Sequence, residues 1–377
     1  MSAGGCGRRL GLATAAALLL AAFSLGCGSG AAKEAAAAPK LPPANPQAVN
    51  DMMRGIDAAE RPDGAPQAIE HFQAALKADD KLWEARYDLG IVLARTGALE
   101  AAERELTLAA ELAPNAEDVV LALGEVRRRA GNPEGAAEVL TAFIEKHPDA
   151  LVARTALVTA LRESGKVDEA LAQAREVLVR RAGDPNALSE LALAYVDREE
   201  LDVAELLSQE ALKAESKSAV AERTAGLVAL ERGDDAVAFQ HFLRATELDP
   251  ADTTARLNMG TVLLEAGVYD KASEHFRAVL EASPDDVDAA IGLAAALRGL
   301  GSREKPEPWN EAEELLKDVL QKQPRNLAAT HNLGVLYYDS LKRPEQALPL
   351  LQRFVEDAPK GHPRYPEVLK LLQAKKP

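Results

Sequence analysis

Histidine and cysteine, the residues best suited to metal binding or nucleophilic catalysis, are few and scattered in this chain. The histidines are His71, His147, His241, His275, His331 and His362, and the cysteines are Cys6 and Cys27. His71, His241 and His275 each precede a phenylalanine and are spaced by multiples of 34 residues, so repeating elements would hold them apart rather than gather them around one ion. Both cysteines precede residue 28, which leaves no disulfide framework and no CxxC site. We predict no metal site.

Sequence motifs of catalysis are also missing. The chain has no GxxxxGK[ST] phosphate cradle, no HExxH, no GxSxG elbow and no EF-hand loop. Its carboxylates are spread over predicted helices, a distribution typical of solvated helix faces. We therefore predict no catalytic residue, no cofactor, no small-molecule substrate and no enzymatic activity.

Charge and composition limit which partners and which fold class are possible. The formal net charge of −15 repels phosphate backbones and provides no basic face for nucleic acid. Hydrophobic residues make up 47% of the chain but aromatic residues only 4%, so the interior must consist mainly of Ala, Leu and Val. Strong helix formers dominate the polar positions as well, which indicates an all-α fold.

The first 26 residues have the organisation of a signal peptide. Arg8 and Arg9 precede an apolar run over residues 10–25, and small residues follow it. This run is shorter than the ~20 residues of a membrane-spanning helix. Export is therefore predicted. Residues 27–48 are rich in Ala and Pro, have few large apolar side chains, and are predicted to be a flexible tether.

The segment Phe23-Ser24-Leu25-Gly26-Cys27 resembles the lipobox of bacterial lipoproteins, although Ser24 stands where that family prefers Leu. The resemblance implies that Cys27 is lipidated and becomes the first residue of the mature chain. Gly28 in place of Asp then implies an outer-membrane lipoprotein, expected to face the periplasm and attached to the membrane by its acyl chains. The alternative is an ordinary signal peptide that leaves a soluble secreted protein.

A period of 34 residues runs through the rest of the chain. An apolar residue followed by a small residue recurs at Leu89-Gly90, Leu123-Gly124, Leu157-Val158, Leu191-Ala192, Ala225-Gly226, Met259-Gly260 and Leu293-Ala294. We call the second residue of each pair the small position. Alanine follows it after twelve residues at 102, 136, 170, 204, 238 and 272. Glycine follows it after seven residues at 97, 131, 165, 233 and 267, with Glu199 as the exception. Proline lies near the ends of repeats at 114, 148, 250 and 284.

Each of these positions has a physical reason in a pair of packed helices. Small residues let two helices approach closely, glycine accepts the positive φ that ends a helix, and proline stops the second helix. The phase predicts about nine repeats over residues 49–361, with Ile56 at the small position of the first and a polar insertion at 302–309 in the eighth. One extra residue is needed in the ninth repeat. Residues 362–377 are predicted to hold a capping helix, over 365–374, and a tail.

The pattern resembles the tetratricopeptide repeat (TPR) consensus, whose period is also 34. The resemblance implies an all-α TPR superhelical solenoid of helix-turn-helix repeats whose first helices line a concave groove.

The resemblance also implies which residues face that groove. In the earlier repeats they are polar: Glu84, Tyr87, Asp118, Glu125, Arg128, Thr155, Thr159 and Arg162. In the later repeats they are mostly apolar: Leu193, Val196, Leu227, Leu230, Leu257, Leu264, Ile291, Val335 and Tyr338. Arg223 and Asn258 on the same surface are expected to hold a partner's backbone or a carboxylate. An apolar stripe on a solvent-facing surface favours a docking groove for a hydrophobic peptide or helix. Alternatively, the superhelix closes on itself or the C-terminal tail covers the stripe.

The resulting functional hypothesis is a scaffold that binds other envelope proteins. TPR lipoproteins of this layout serve pilus secretins, outer-membrane protein insertion and gliding motility, and this chain most resembles those of adventurous gliding-motility complexes. A second hypothesis is an adaptor or regulator of peptidoglycan enzymes. The absence of a second domain argues against a third, a TPR-linked glycosyltransferase.

Overall fold

The computed structural model describes residues 45–373, which contain nineteen helices and no β-strand. The predicted signal peptide, Cys27 and most of the predicted tether lie outside the described residues, as do residues 374–377. The chain divides into two compact units, an amino-terminal unit that ends at Ala130 and a carboxy-terminal unit that begins at Gly131. No helix within residues 45–373 has the length and apolar character needed to cross a bilayer.

The helices of the amino-terminal unit are α1 (Pro46–Ala59), α2 (Ala65–Ala78), α3 (Trp83–Arg95), α4 (Leu99–Leu112) and α5 (Glu117–Arg129). Sequential helices pack against each other, α1 on α2, α2 on α3, α3 on α4 and α4 on α5.

The carboxy-terminal unit contains α6 (Pro133–Lys146), α7 (Leu151–Glu163), α8 (Val167–Arg180), α9 (Pro185–Asp197), α10 (Leu201–Ala214), α11 (Ala219–Glu231), α12 (Asp235–Leu248), α13 (Thr253–Glu265), α14 (Tyr269–Ala282), α15 (Val287–Leu300), α16 (Glu307–Lys322), α17 (Leu327–Val335), α18 (Pro344–Asp357) and α19 (Tyr365–Gln373). A π-helical turn, Leu336–Ser340, continues α17. The first eighteen helices follow the order of nine helix pairs, and α19 packs on α18 as the predicted cap.

The ends of the helices follow from local sequence. Polar side chains one residue before α9, α11, α13, α15 and α17 accept hydrogen bonds from the first-turn amides; they are Asp184, Ser218, Asp252, Asp286 and Asn326. Proline stands two residues after the last residue of α4, α6, α12, α14 and α16, where it prevents continuation of the helix; these are Pro114, Pro148, Pro250, Pro284 and Pro324. The predicted role of proline at the repeat boundary is confirmed.

The turn inside each repeat requires a left-handed residue. The predicted turn glycines at 97, 131, 165, 233 and 267 all have φ between 74° and 82°. Glu199, the exception in the pattern, adopts the same conformation with φ 60°. A side chain in this region costs about 1–2 kcal/mol because its Cβ approaches the following carbonyl oxygen. The repeat that contains Glu199 is therefore strained at its turn.

Replacing Glu199 with glycine should relieve this strain. We expect Glu199→Gly to stabilise the protein by about 0.5–1 kcal/mol, because the gain at the turn exceeds the added entropy of the unfolded chain. Gly165→Ala is the matched control: its φ is 75° and an added Cβ meets nothing within 4 Å, so a loss of similar size would come from the backbone alone. Urea unfolding followed by circular dichroism measures both changes, and two neutral substitutions would contradict the strain.

Large side chains on the second helix fill the space above the small position. A Cβ added at Gly226 would lie 2.6 Å from Phe242, at Gly260 2.8 Å from Phe276, and at Gly90 2.6 Å from Leu106. Where the small position is larger, as at Val158 and Ala192, the residue sixteen positions later is smaller: Ala174 and Ser208. The helix pairs are thus matched in size within each repeat.

Three local predictions need correction. In the first repeat the buried glycine beneath Phe72 is Gly55 rather than residue 56, because the connection between α1 and α2 spans the five residues 60–64. Helix α1 begins at Pro46, so the predicted tether of residues 27–48 ends in a helix capped by Asn45. The insertion at 302–309 is loop only as far as residue 306. Its Trp309 belongs to α16 and donates an indole hydrogen bond to the Arg298 carbonyl at 3.0 Å.

The extra residue of the ninth repeat appears as the π-helical turn. One additional residue in a helix is accommodated by such a turn, which displaces the following side chains. Tyr338, a predicted groove residue, lies within it.

Candidate partner-binding surfaces

The first helices of successive repeats lie side by side in the carboxy-terminal unit. Contacts join α7 with α9, α9 with α11, α11 with α13, α13 with α15 and α15 with α17. We call the surface that these helices share the first-helix face. All the apolar groove residues predicted from the sequence lie on α9, α11, α13, α15, α17 or its π-helical turn.

Most of the predicted apolar residues are half-buried on this face. They pack against one continuous core and keep part of each side chain accessible; they are Leu227, Leu230, Leu257, Leu264, Ile291, Val335 and Tyr338. Val196 on α9 is also half-buried. Leu193 is only 9% exposed, so it offers little apolar area to a partner.

The two predicted polar anchors already have partners within the chain. The Arg223 guanidinium lies 2.8 Å from the carboxylate of Asp252, the residue that caps α13. Asn258 donates its amide to the Thr254 carbonyl, one turn earlier in the same helix. These interactions orient both side chains, and each retains further hydrogen-bonding groups: the Asn258 carbonyl oxygen and the remaining N–H donors of Arg223.

A pocket of about 330 Å³ with a mixed polar and apolar lining opens on the first-helix face between α7, α9 and α11. Thr155, Thr159 and Arg223, all predicted groove residues, line it together with Glu190. Arg162, also predicted, bridges α7 and α9 by contacting Glu190 at 3.3 Å and Asp197 at 2.8 Å. The structure thus brings these polar groove residues together, as the repeat phase implied.

A larger apolar cleft, of about 680 Å³, was missed by the sequence analysis. It is lined by Phe239 and Leu243 of the second helix α12, by Val262 and Leu263 of α13, and by His275 of α14. The corresponding residues are Glu205 and Gln209 one repeat earlier and Ser273 and Arg277 one repeat later. Two apolar residues at positions that are polar in the neighbouring repeats are the sequence signal that could have revealed this cleft.

In the amino-terminal unit the first helices carry acidic groups. The repeat phase predicts that Glu84, Tyr87 and Asp118 face the groove. The structure shows a further acid on α3, Asp88, whose side chain is only 7% exposed. Burial, reinforced by the nearby charge of Glu84, raises the pKa of Asp88 to about 7. Burial also raises the pKa of Tyr87, with Asp118 and Asp88 adding to the effect. Asp118 on α5 and Asp88 on α3 therefore act on the same tyrosine.

Three of the histidines, His241, His275 and His331, lie in different repeats and have different surroundings. His241 Nδ1 lies 2.7 Å from a Glu222 oxygen, whereas burial and the charge of Arg256 lower the pKa of His275. Burial, with Arg364 contributing, lowers the pKa of His331 to about 4, and its ring packs 5.2 Å from that of Phe354. Within residues 45–373, no group of three or more potential ligand side chains is arranged to hold a metal ion.

The chain was compared with known proteins. Two family models, both described as tetratricopeptide repeat, match residues 53–117 and 121–187, and residues 229–297 and 309–373, together more than half of the chain. A search of functionally curated proteins found no match.

Solved structures share the fold. A chain of the APC/C hetero-tetramer Cut9–Hcn1 is similar at 15% identity with a TM-score of 0.58; the match covers 82% of this chain and 59% of that one, so it spans less than two thirds of that relative. Pseudomonas aeruginosa pilF is similar at 21% identity over 61% of this chain and 99% of its own, with a TM-score of 0.49. With the repeat phase, the paired helices and both family models in agreement, the chain belongs to the tetratricopeptide repeat family.

Proposed function

We propose that this protein is a non-enzymatic scaffold, anchored to the outer membrane and facing the periplasm, that assembles or stabilises an envelope machine of the gliding-motility, pilus or secretion type. TPR proteins bind protein partners, and the observation that supports docking here is the row of half-exposed apolar residues on the first-helix face.

The geometry of this row suits an apolar segment of a partner protein. Leu227 and Leu230 on α11, Leu257 and Leu264 on α13 and Ile291 on α15 are held by the core beneath them, so they form a rigid surface that loses little side-chain entropy on binding. Among residues 45–373, the cap α19 packs on α18. A peptide or helix with spaced apolar side chains could bury this area.

The anchor is supported by the sequence around Cys27. If Cys27 carries acyl chains, a cell grown with an alkyne fatty acid should yield labelled protein in the outer-membrane fraction. Cys27→Ala should remove the label, whereas Cys6→Ala, within the segment predicted to be cleaved, should keep it. Unlabelled wild-type protein would overturn the lipoprotein proposal and leave a secreted scaffold.

The docking surface is tested by Leu227→Ala, Leu257→Ala and Ile291→Ala combined in one protein. We expect crosslinked pull-down from envelopes to recover at least several-fold less partner. Because the three side chains are half-buried, each truncation should cost roughly 1 kcal/mol or more of stability, so thermal unfolding is measured in parallel. The control is Leu206→Ala on the second helix α10, where the side chain is 57% exposed.

The identity of the captured proteins separates the two interpretations. Motility, pilus or secretin subunits would support the proposal, and cell-wall synthases or hydrolases would replace it with an adaptor of peptidoglycan enzymes. Equal capture by the triple variant and wild type would show that partners use another surface.

A further inference from the structure

Asp88 is a carboxyl group with no partner among the described residues. It lies on α3, is 7% exposed, and its side chain takes part in no hydrogen bond or ion pair with residues 45–373. Buried carboxylates are normally paired, because removing the charge from water without compensation costs several kcal/mol. The two arginines of α3 are engaged elsewhere: Arg86 pairs with Glu105, and Arg95 donates to the Ala59 carbonyl.

Another repeat shows how the chain satisfies an acid at this position. Glu190 occupies the same phase as Asp88, three periods later, and receives the Arg162 guanidinium at 3.3 Å from the preceding first helix. Helix α1 is the first helix of the repeat before α3, as α7 is for α9. The last turn of α1, where Arg162 would have its counterpart, contains no basic residue. Asp88 therefore lacks the intramolecular cation that its counterpart has.

The groups around Asp88 add negative charge. Glu84 lies one turn earlier on the same helix and acts on Asp88, and Asp118 of α5 acts on Tyr87, the residue that precedes Asp88. The residues of α1 that pack against the adjoining core, Met52 and Ile56, are uncharged. The site thus has a buried acceptor, a second acid one turn away and an apolar border, which together fit the head and the aliphatic stem of a long cationic side chain.

We propose that the first helices of the amino-terminal unit, α1, α3 and α5, form a binding site for a lysine or arginine side chain of a partner protein, which pairs with Asp88 beside Glu84. This inference deepens the proposed scaffold function and rests on it, but it concerns a different surface from the apolar row. A metal ion fits less well, because the described residues place no three ligand groups around one point.

Binding of a cation requires the ionised carboxylate, so occupancy and deprotonation of Asp88 are coupled. With the pKa of Asp88 at about 7, its ionised fraction rises about tenfold between pH 6 and pH 8. A lysine probe should therefore bind about tenfold more tightly at pH 8, and should itself lower the pKa of Asp88.

The test is carbon-13 NMR of the aspartate carboxyl groups in the full chain, titrated with a short alanine-based peptide that contains a single lysine. The Asp88 resonance is assigned by its loss in Asp88→Asn. We expect the lysine peptide to lower the pKa of Asp88 by about one unit, and the same peptide with glutamine in place of lysine to leave it unchanged. Asp88→Asn should weaken lysine-peptide binding at least tenfold, whereas Asp63→Asn, at an exposed loop position of the same unit, should not.

Equal binding of the two peptides, or equal binding by wild type and Asp88→Asn, would overturn the site. Neither result depends on the envelope pull-down: loss of capture by the triple leucine and isoleucine variant supports the scaffold whether or not Asp88 binds lysine.

Discussion

Gly226→Val is expected to destabilise the carboxy-terminal unit by about 3 kcal/mol. Gly226 lies in the middle of α11, and even the first carbon of a side chain there would approach the Phe242 ring of α12 to 2.6 Å. Phe242 is fully buried, so the side chains around it limit how far its ring can move. Overpacking of this kind costs about 1–3 kcal/mol, and a branched side chain lies at the upper end of that range.

The same clash should be relieved by shortening the partner. Phe242→Ala alone should cost about 3–5 kcal/mol because it leaves a cavity. In the double variant, the valine fills part of that cavity, which reproduces the native pair Val158 and Ala174 at the same phase. The sum of the two single losses of stability should therefore exceed the loss in the double variant by at least about 2 kcal/mol. A coupling of this size is typical of residues in contact.

Hydrogen exchange of the α11 and α12 amides and urea unfolding measure this cycle. The matched control pairs Gly226→Val with Phe276→Ala, which removes an equally buried ring from the next repeat but leaves Phe242 in place. Its effects should add. Additive effects for Gly226 and Phe242 would show that the two helices adjust independently and that size matching does not determine their packing.

The helices were predictable because their determinants are local and repeat. Proline after the second helix and glycine at the turn act within a few residues, so the period alone located the helix pairs, although the start of α1 and the start of α16 were misplaced. Glu199 was visible as a missing glycine, but only the backbone shows that it adopts the left-handed conformation all the same. The shift from residue 56 to Gly55 was not predictable, because it depends on the length of one connection.

The candidate surfaces were only partly predictable, since exposure and pairing depend on neighbouring repeats. Leu193 and Leu227 share one phase, yet the first is buried and the second half-exposed. Arg223 was expected to be available to a partner, but it pairs with Asp252, the residue that caps the first helix of the next repeat. Phase identifies which side of a helix a residue occupies, and the side chains opposite decide whether it remains accessible.

Asp88→Asn is expected to stabilise the amino-terminal unit in a pH-dependent way. The pKa of Asp88 is raised from 3.8 to about 7, so the folded protein retains a proton that the unfolded chain releases. Its favourable contribution is complete below about pH 4 and is lost as the pH rises towards 7, because stability falls wherever the folded state binds more protons. Above pH 7 a buried carboxylate remains, at a cost of about 2–4 kcal/mol. The amide removes that charge, so the variant should gain about this amount at pH 8 and almost nothing at pH 4.

Asparagine fits this position in two other repeats. Asn258 and Asn332 share the phase of Asp88, and each donates its amide to the carbonyl four residues earlier, at 2.8 and 2.9 Å. The asparagine introduced by Asp88→Asn should bond in the same way to the Glu84 carbonyl, so the substitution leaves no new unsatisfied group. Hydrogen exchange of the α3 amides at pH 5 and pH 8 reports the local stability, with Asp63→Asn as the exposed control. A gain of equal size at both pH values would mean that Asp88 is not a protonated, buried acid, because an effect of packing alone does not vary with proton concentration.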